Sequence, residues 1–250
     1  MRWVSRGGVR VLEAELPRAR AAFTTRIGGV SAAPYESLNL GLGVGDEPGA
    51  VRENRRRLAA ALGRNPAGLL IGRQVHGAEI CGRAEAPTPN PYLDLAAASP
   101  ADADGQLTAS PHLTPIVLLA DCLPVAVAGG GGVAMLHCGW RGLAAGIVAR
   151  GCEALEPSAA AIGPGVGPCC YEVGDEVLAP FAELGQAVAP NGRLDLVEVA
   201  RRLLERAGVY EVETADICTS CDAELFFSHR RDRVTGRHAG LVWRERNEGG

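Results

Sequence analysis

Lysine is missing from this chain of 250 residues, because all 25 residues in the joint count of lysine and arginine are arginines. The absence excludes a Schiff-base lysine, a pyridoxal anchor and the lysine of a nucleotide-binding phosphate loop. A phosphate or carboxylate ligand must therefore be held by arginine side chains or by backbone amides.

The chain also lacks the features of membrane and nucleic-acid proteins. Its apolar runs stay below the ~18 residues of a membrane span, and the first residues lack the apolar core of a signal peptide. A net charge of −4 and a pI near 5.8 argue against a basic face for a phosphate backbone. We therefore expect a cytoplasmic protein that has no membrane or nucleic-acid partner and binds a small molecule.

Eight cysteines are present without a secretory signal, which favours free thiols or metal ligands over a disulfide framework. Cys218 and Cys221 form a C-x-x-C pair that has no second such pair, and Cys169 and Cys170 are adjacent. Adjacent cysteines are poorly spaced for both to bind one tetrahedral ion. We interpret these four residues as structural thiols, since a free cysteine packs like a small apolar side chain.

Apolar periodicity predicts a mixed sheet with helices outside it, and a chain of 250 residues fits one large domain or two small ones. Short continuous apolar runs, such as residues 116–120 and 125–128, are typical of strands buried on both faces. The predicted strands are 20–25, 69–75, 79–83, 116–120, 125–128, 133–136, 159–162, 209–216, 226–229 and 238–243, and the predicted helices are 51–62, 142–152, 174–184 and 194–207.

Three side chains suited to binding a metal lie at strand ends or in tight turns: His76 before Gly77, Cys122 after Asp121, and His137 at the end of an apolar run. Two imidazoles and one thiolate suit zinc, and three protein ligands leave a fourth position for water or substrate, as in catalytic zinc sites. Because strand ends can converge at one sheet edge, we predict an enzyme in which these three residues hold the ion.

The same atoms also fit chemistry that needs no metal. Cys122 and His137 are typical of a nucleophile and base in a cysteine hydrolase, in which the imidazole lowers the pKa of the thiol. This arrangement gives His76 no role, whereas a zinc site uses all three residues, so we favour zinc. A third interpretation, in which zinc only stabilises the fold, stays open.

Two arginines are candidates for binding an oxyanion. Arg26 precedes the turn glycines Gly28 and Gly29, and Arg141 begins a helix, where guanidinium groups and helix amides favour phosphate. The charged run Arg230-Arg231-Asp232, in contrast, is interpreted as surface charge.

Three aspartates close to the metal-binding candidates are interpreted as proton-transfer groups or as partners that orient an imidazole. They are Asp102, Asp104 and Asp121. Asp102 and Asp104 equally suit a turn, because an aspartate bonds its own backbone there.

Nine short segments together resemble a known family, the YfiH-like family, also called the laccase-domain multicopper polyphenol oxidase or purine nucleoside phosphorylase family, or peptidoglycan editing factor. The match covers most of the chain in order and is therefore specific. The segments are Thr24-Thr25-Arg26-Ile27-Gly28-Gly29-Val30-Ser31, Ser37-Leu38-Asn39-Leu40-Gly41, Val44-Gly45-Asp46, Gln74-Val75-His76-Gly77, Asp102-Ala103-Asp104-Gly105, Ala120-Asp121-Cys122-Leu123-Pro124-Val125, His137-Cys138-Gly139-Trp140-Arg141-Gly142, Ile162-Gly163-Pro164 and Phe226-Phe227-Ser228-His229-Arg230-Arg231-Asp232.

The resemblance implies an α+β fold, a single-domain α/β/β/α layered sandwich with mixed sheets that is related to toxin-type cysteine hydrolases. It implies Zn²⁺ at His76, Cys122 and His137, with Cu²⁺ as the alternative ion. These three residues are also the expected catalytic residues. We expect Arg26, Arg141, Asp121 and Gln74 to contact substrate or phosphate.

The activity that the resemblance implies is zinc-dependent purine nucleoside phosphorolysis. Adenosine, inosine or methylthioadenosine would react with phosphate to give the base and ribose 1-phosphate, with linked adenosine deamination. The expected partners are a nucleoside and phosphate, bound to a monomer or small homo-oligomer. Alternatives within the family are a Cys-His amidase that edits peptidoglycan precursors and, more weakly, a copper-dependent polyphenol oxidase, for which this chain has few histidines.

Overall fold

Twelve strands form two six-stranded sheets in the part of the chain that the computed structural model describes, residues 1–93 and 100–245. In spatial order, the first sheet contains β1 (Arg2–Arg6), β2 (Val9–Leu16), β3 (Ala19–Thr24), β12 (His238–Arg244), β7 (Thr114–Leu119) and β4 (Leu69–Leu70). The second contains β11 (Glu211–Thr214), β10 (Pro157–Ile162), β8 (Leu123–Gly129), β9 (Gly132–Cys138), β6 (Gly105–Thr108) and β5 (Ile80–Gly82).

Both sheets are mixed, as predicted. Most neighbouring strands run antiparallel, and the parallel pairs lie at the sheet edges: β4 with β7, β5 with β6, and β10 with β11. The last strand of the chain, β12, lies between β3 and β7 and pairs with both. The first sheet therefore joins segments from both ends of the chain, because β12 connects β3 to β7.

Three of the four predicted helices are divided or shorter in the structure, whereas the first begins three residues earlier than predicted. The helices are α1 (Pro48–Ala61), α2 (Trp140–Ala144), α3 (Ile147–Glu153), α4 (Asp175–Leu178), α5 (Leu196–Arg206) and α6 (His229–Asp232), with 3₁₀ turns at Pro66–Gly68, Ala179–Leu184, Gln186–Val188 and Pro190–Gly192. The predicted helix 142–152 divides at Gly146, whose φ of +87° is left-handed. The predicted helix 174–184 tightens after Leu178, because Pro180 has no backbone N–H for an α-helical hydrogen bond.

Several predicted strands are also corrected by the structure. The pairing of 69–75 is limited to Leu69 and Leu70, after which the chain leaves the sheet. Residues 226–229 are not a strand, because the Ser228 side chain accepts a hydrogen bond from the amide of Arg231 and begins α6. The strands β1, β2 and β6 are absent from the predicted set.

Three apolar layers hold the sandwich together. Side chains of α1, such as Leu58, pack on the outer face of the first sheet, and α2, α3 and α5 pack on the outer face of the second. Small residues such as Ala21, Ala126 and Ala161 fill the space between the two sheets. The layer order is therefore α/β/β/α, as the resemblance implies.

A close approach of the two sheets depends on one glycine. A Cβ on Gly240 of β12 would lie 2.4 Å from the Cβ of Pro124 on β8, which no side chain permits. The chain itself crosses from the first sheet to the second just beside this contact, through Ala120, Asp121 and Cys122. This crossover places Cys122 between the end of β7 and the start of β8.

Candidate functional site

His76, Cys122 and His137 converge, although they lie on three separate segments. Cys122 lies between β7 and β8, His137 near the end of β9, and His76 in the loop after β4. Their candidate ligand atoms all lie within 4.8 Å of one another. The rings of the two histidines meet edge to face, with their centroids 4.9 Å apart.

Asp104 fixes the orientation of His137. The imidazole is buried, and its Nδ1 lies 2.8 Å from Oδ1 of Asp104. An ionised carboxylate can only accept, so Nδ1 carries the proton of this bond. Nε2 is then the nitrogen that is available to the Cys122 thiol or, when deprotonated, to a metal. This is the carboxylate–histidine arrangement that tunes metal ligands.

The same carboxylate shapes the turn that carries His76. Asp104 is fully buried and accepts hydrogen bonds from the backbone amides of Val75 (3.0 Å), His76 (2.9 Å) and Gly77 (2.8 Å). They help to hold His76 at a φ of +60°, which a non-glycine residue seldom adopts. Burial opposes ionisation of Asp104, but the hydrogen bonds from His137, Gly77 and Val75 hold the pKa of its carboxyl below the ordinary value.

Cys122 is electrostatically paired with His137. Burial would raise the pKa of the Cys122 thiol, but the adjacent imidazoles of His137 and His76 lower it to about 6. Burial likewise would lower the pKa of His137, and the Cys122 thiolate together with Asp104 raises it to about 9. Cys122 is therefore a thiolate near neutral pH, the form that binds metals and attacks carbonyls.

Asp121 holds the crossover that carries Cys122. Its φ is +103°, and its Oδ1 and Oδ2 accept hydrogen bonds from the Thr219 hydroxyl (2.8 Å) and the Arg230 amide (2.6 Å). The backbone amide of Val166 donates to its carbonyl. Both carboxylate oxygens are thus engaged by the protein, and substrate contact by Asp121 stays a prediction.

Gln74 is similarly engaged by the protein. Its Nε2 donates to the Leu118 carbonyl (2.7 Å), and its Oε1 accepts from the Leu118 amide (2.8 Å). The side chain thereby continues the ladder of β7 and fixes the loop that leads to His76. Gln74 lines the cavity described below, where its contact with a substrate stays a prediction.

A cavity of about 740 Å³ opens over the three candidate ligands, within the roughly 300–1,000 Å³ of small-molecule sites. Apolar side chains, among them Ile71, Leu118 and Val166, form part of its wall. Five arginines line it among the residues that the structure describes: Arg73, Arg141, Arg230, Arg233 and Arg237. These arginines make the cavity suitable for an anion.

Aromatic rings support two of these arginines. The Arg141 guanidinium lies 4.4 Å from the centroid of the Trp140 ring, and that of Arg230 lies 5.6 Å from the centroid of Tyr171. Burial, reinforced by the negative charge of Cys122, raises the pKa of Tyr171 to about 12. The Tyr171 hydroxyl therefore stays protonated and can donate a hydrogen bond into the cavity.

Arg26 does not lie among the residues that line the cavity. Its guanidinium donates to the carbonyls of Glu36 (2.6 Å) and Ala223 (3.0 Å) and packs over the Phe227 ring. Arg26 therefore joins two loops in the described structure. Of the two arginines that the sequence nominates, the fold brings only Arg141 to the cavity.

Several other residues that line the cavity are not identified as site residues from the sequence. Tyr171 and Arg237 come from segments with no local pattern that sets them apart, and Arg230 belongs to the run interpreted as surface charge. The apolar pair Phe226-Phe227 directly before that run is the signal that could have revealed it. Both phenylalanines are fully buried, which anchors α6 and its arginines against the cavity.

The donor set suits a zinc ion. Nε2 of His137 is free of the Asp104 bond, Cys122 is a thiolate, and His76 is exposed on the cavity side. Gly139 leaves the space beside them: a Cβ there would lie 2.9 Å from Sγ of Cys122 and 3.4 Å from Cδ2 of His76. Three ligands at the base of an open cavity leave a coordination position for a substrate atom.

Among the described residues, the helices include none long and apolar enough to cross a membrane.

Comparison with known proteins extends these observations. A family model described as multi-copper polyphenol oxidoreductase laccase matches residues 20–245. The chain is 40% identical over 236 residues to purine nucleoside phosphorylase YfiH of Escherichia coli (strain K12), covering 89% of this chain and 93% of that protein. It is 38% identical to purine nucleoside phosphorylase YlmD of Geobacillus stearothermophilus, covering 96% of this chain and 95% of that protein.

Solved structures agree with this similarity. The crystal structure of YlmD from Geobacillus stearothermophilus has a TM-score of 0.84 and 36% identity, covering 96% of this chain and 97% of that one. The crystal structure of the hypothetical protein YfiH from Bacillus licheniformis has a TM-score of 0.85 and 32% identity, with the same coverage of the two chains.

Proposed function

The chain belongs to the multi-copper polyphenol oxidoreductase laccase family, the YfiH-like family, and from this premise we propose that it is a zinc-dependent purine nucleoside phosphorylase. Its substrates would be adenosine, inosine or methylthioadenosine together with inorganic phosphate. The names of the relatives from Escherichia coli and Geobacillus stearothermophilus support the activity. The observation that carries the proposal is the arginine-lined cavity over the His76, Cys122 and His137 cluster.

Charge favours phosphate as one of the two substrates. Asp121 is the acidic residue that the described cavity wall contains, and both its oxygens already accept hydrogen bonds. Arg73 pairs with Asp102, and Arg230 and Arg237 donate to backbone carbonyls. Arg141 is therefore the lining arginine best placed to bind an anion through charge-assisted hydrogen bonds. Arg141, stacked on Trp140, is the first candidate, and Arg26 takes no part in the proposed site.

The walls of the cavity suit a purine nucleoside. Apolar side chains and the Trp140 and Tyr171 rings offer the contacts that an aromatic base needs, beside a few polar groups that set its orientation. The protonated Tyr171 hydroxyl would donate a hydrogen bond to the base or to phosphate. Holding both substrates in one enclosure converts their encounter into an intramolecular step.

In the proposed reaction, a phosphate oxygen attacks C1′ of the ribose as the bond from C1′ to the base nitrogen breaks. The base leaves with the electron pair and takes up a proton, and ribose 1-phosphate remains. The arginines hold the phosphate in line, and Asp104 keeps the proton on Nδ1 of His137. In the linked deamination of adenosine, water would replace the amino group at C6 and ammonia would leave.

His76, Cys122 and His137 would hold the zinc ion. When bound there, zinc supplies Lewis acidity, which polarises oxygen atoms and makes water acidic near neutral pH.

The test is a reaction of the zinc-loaded protein with inosine or adenosine, with and without phosphate. Free base and ribose 1-phosphate are separated and quantified. We expect base release that requires phosphate, that Cys122→Ala abolishes, and that the matched control Cys81→Ala retains, because Cys81 lies on β5 outside the cluster. Release of base at equal rates without phosphate would contradict the proposal.

A second candidate function, a Cys-His amidase that edits peptidoglycan precursors, is favoured by the pKa of about 6 for Cys122 and about 9 for His137. Such a thiolate–imidazolium pair can attack an amide carbonyl without a metal. Activity that survives complete zinc removal and is lost on alkylation of Cys122 would identify it. A copper-dependent polyphenol oxidase is the weaker alternative, because five histidines in the whole chain are few for several copper ions.

A further inference from the structure

Two cysteine-containing segments beside the candidate cavity are held against each other by their backbones. The loop 163–170 and the segment 217–221 are joined where the amide of Thr219 donates to the Gly165 carbonyl (2.9 Å) and the amide of Gly165 donates to that of Ile217 (3.3 Å). Gly165 and Cys218 form an isolated parallel bridge. The Cys169-Cys170 pair is thereby brought to Cys218 and Cys221.

The sulfur atoms of the four cysteines, which the sequence suggests are structural thiols, lie close together. Sγ of Cys221 lies 3.5 Å from Sγ of Cys169 and 3.4 Å from Sγ of Cys170, and the four sulfurs lie within 4.8 Å of one another. A tetrahedral zinc with Zn–S bonds of ~2.3 Å separates its sulfurs by ~3.8 Å. The sulfur–sulfur distances in the cluster lie on both sides of this value. The adjacent Cys169 and Cys170 both reach the group because they lie on a turn closed by the hydrogen bond from the Cys170 amide to the Gly167 carbonyl.

Backbone amides point at one of these sulfurs, as they do around metal-bound thiolates. The amide of Gly167 donates to Sγ of Cys218 (3.2 Å), and the amide of Cys221 donates to the same sulfur. Such donors stabilise a sulfur that carries negative charge. A turn that directs two amides at a cysteine has no purpose in packing an apolar side chain.

Positive groups surround the cluster. The Arg231 guanidinium donates to the carbonyls of Thr219 (2.9 Å) and Ser220 (3.2 Å), between the two cysteines of the C-x-x-C pair. The Arg193 guanidinium donates to the Cys169 carbonyl (3.3 Å). Four thiolates around a divalent ion would leave a net negative charge, which the Arg193 guanidinium would partly offset. Arg231 itself pairs with Asp232 and serves to hold the C-x-x-C turn.

From these contacts we propose that Cys169, Cys170, Cys218 and Cys221 bind one structural zinc ion. Four protein thiolates fill a tetrahedral shell, so this ion has no open position and takes no part in turnover. It is a different site from the His76, Cys122 and His137 cluster and shares no ligand with it.

The ion would fix one wall of the candidate cavity. Cys170 directly precedes Tyr171, which lines the cavity. Thr219 lies inside the C-x-x-C pair and donates its hydroxyl hydrogen to Asp121, which holds the turn before Cys122. Zinc at the four cysteines would therefore fix the position of Tyr171 through Cys170 and that of Asp121 through Thr219. Loss of the ion would make both residues more mobile.

The experiment separates the two clusters by substitution in the full-length protein. Zinc bound per chain is measured by mass spectrometry of the metal after dialysis against a weak chelator. In a Cys122→Ala background, which removes a ligand of the other cluster, we expect about one tightly held zinc per chain. Adding Cys221→Ser should remove it, and adding Cys81→Ser, the matched control, should leave it in place.

Two further measurements distinguish loss of the zinc site from misfolding of the Cys221→Ser variant. Native protein treated with an alkylating reagent should keep Cys169 and Cys221 unmodified until a strong chelator is added, although both residues are exposed. The chelator should also lower the melting temperature of the Cys122→Ala protein by on the order of 10 °C, and should leave the Cys122→Ala/Cys221→Ser protein nearly unchanged.

Three results would overturn the proposal. One is a zinc-free Cys122→Ala protein, and another is zinc that persists after Cys221→Ser. The third is a thiol count: the denatured Cys122→Ala chain has seven cysteines, and only three reactive thiols would mean that the four residues form two disulfides. Seven reactive thiols after chelation are expected.

Discussion

The two cysteine-containing clusters differ in what surrounds their candidate ligands. Around His137 and Cys122, a fully buried carboxylate, Asp104, accepts one hydrogen bond from the imidazole and three from the His76 turn, and a cavity lies in front. In the four-cysteine cluster, the amide of Gly167 donates to Sγ of Cys218, arginines donate to nearby carbonyls, and Cys169 and Cys221 are exposed. In the two proposed sites, the first cluster would leave a coordination position open, and the second would fill all four.

The two clusters therefore depend on different parts of the fold. The His76 cluster is held by a buried polar network at the ends of the strands, so we expect its geometry to be sensitive to single substitutions. The four-cysteine cluster joins two surface segments, so the proposed ion would contribute more to its stability than the core does. Substitutions in one cluster should then leave the other intact.

The largest effect is expected for Asp104→Asn. The amide side chain cannot accept all four hydrogen bonds of the carboxylate, so Nδ1 of His137 and the His76 turn lose their orientation. We expect zinc affinity at the His76 cluster to fall by up to about 100-fold, with the zinc of the four-cysteine cluster unchanged. Competition with a chromogenic chelator measures both.

Asp102→Asn is the control for that experiment, since Asp102 lies two residues away, is exposed and pairs with Arg73 outside the network. Equal losses of zinc affinity in both variants would contradict the role assigned to Asp104.

Gly139→Ala should act through packing alone. The new Cβ would lie 2.9 Å from Sγ of Cys122, so the thiol must move by a fraction of an ångström. We expect kcat/KM for phosphorolysis to fall on the order of 30-fold, with little change in melting temperature. Gly49→Ala at the start of α1 is the control, because a Cβ there meets no atom within 4 Å. Unchanged kcat/KM would show that the space beside Cys122 is not limiting.

Two buried histidines offer a comparison within the core. His137 has Asp104 as a partner, whereas neither ring nitrogen of His238 has a hydrogen-bond partner among the described residues. Burial, followed by the charge of Arg237, lowers the pKa of His238 to about 3. Below an unfolded pKa of about 6.5, the unfolded chain binds a proton that the folded chain does not. The stability present above pH 6.5 is therefore lost progressively as the pH falls towards 3.

This histidine should cost about 1.4 kcal/mol of unfolding free energy per pH unit, or about 2 kcal/mol at pH 5. His238→Phe should flatten that pH dependence in urea denaturation measured between pH 5 and 7. A variant as acid-sensitive as the parent would show that other groups control it.

The smallest effect is expected for Arg141→Gln. Losing one of several guanidinium groups should raise the KM for phosphate about 10-fold and change kcat little, because the other cavity arginines remain. Arg26→Gln should instead lower the melting temperature without changing the KM for phosphate, because its partners are the Glu36 and Ala223 carbonyls. Arg83→Gln, at an exposed position, is the surface control. A larger KM effect in the Arg26 variant would return Arg26 to the phosphate site.

Much of the fold could be predicted from the sequence because its signals are local. Apolar runs identify β7, β8 and β9, and the stripe of Leu196, Val199 and Leu203 indicates α5 within two residues of its ends. The layered sandwich and the family are confirmed by the structure and by the relatives. The extent of one domain over residues 1–250 stays a prediction, and so do the kinship to toxin-type hydrolases and the role of each site residue.

The rest could not be predicted because it depends on contacts between distant segments. No local pattern shows that Asp104 reaches three amides of the His76 turn, or that Cys169 and Cys170 meet a C-x-x-C pair about fifty residues later. Arg26 shows the same dependence on distant contacts: its position beside a glycine turn suggests an anion site, and in the fold its guanidinium donates to the Glu36 and Ala223 carbonyls.

The chemical groups of this protein can be identified in its sequence: a cysteine and two histidines in short turns, arginine as the sole long-chain cation, and enough short apolar runs for a mixed sheet. Which of these groups share a site depends on the fold. The crossover between the sheets places Cys122 beside His137, and the buried Asp104 then fixes their orientation, since a carboxylate removed from water must satisfy its oxygens with the nearest amides and imidazole.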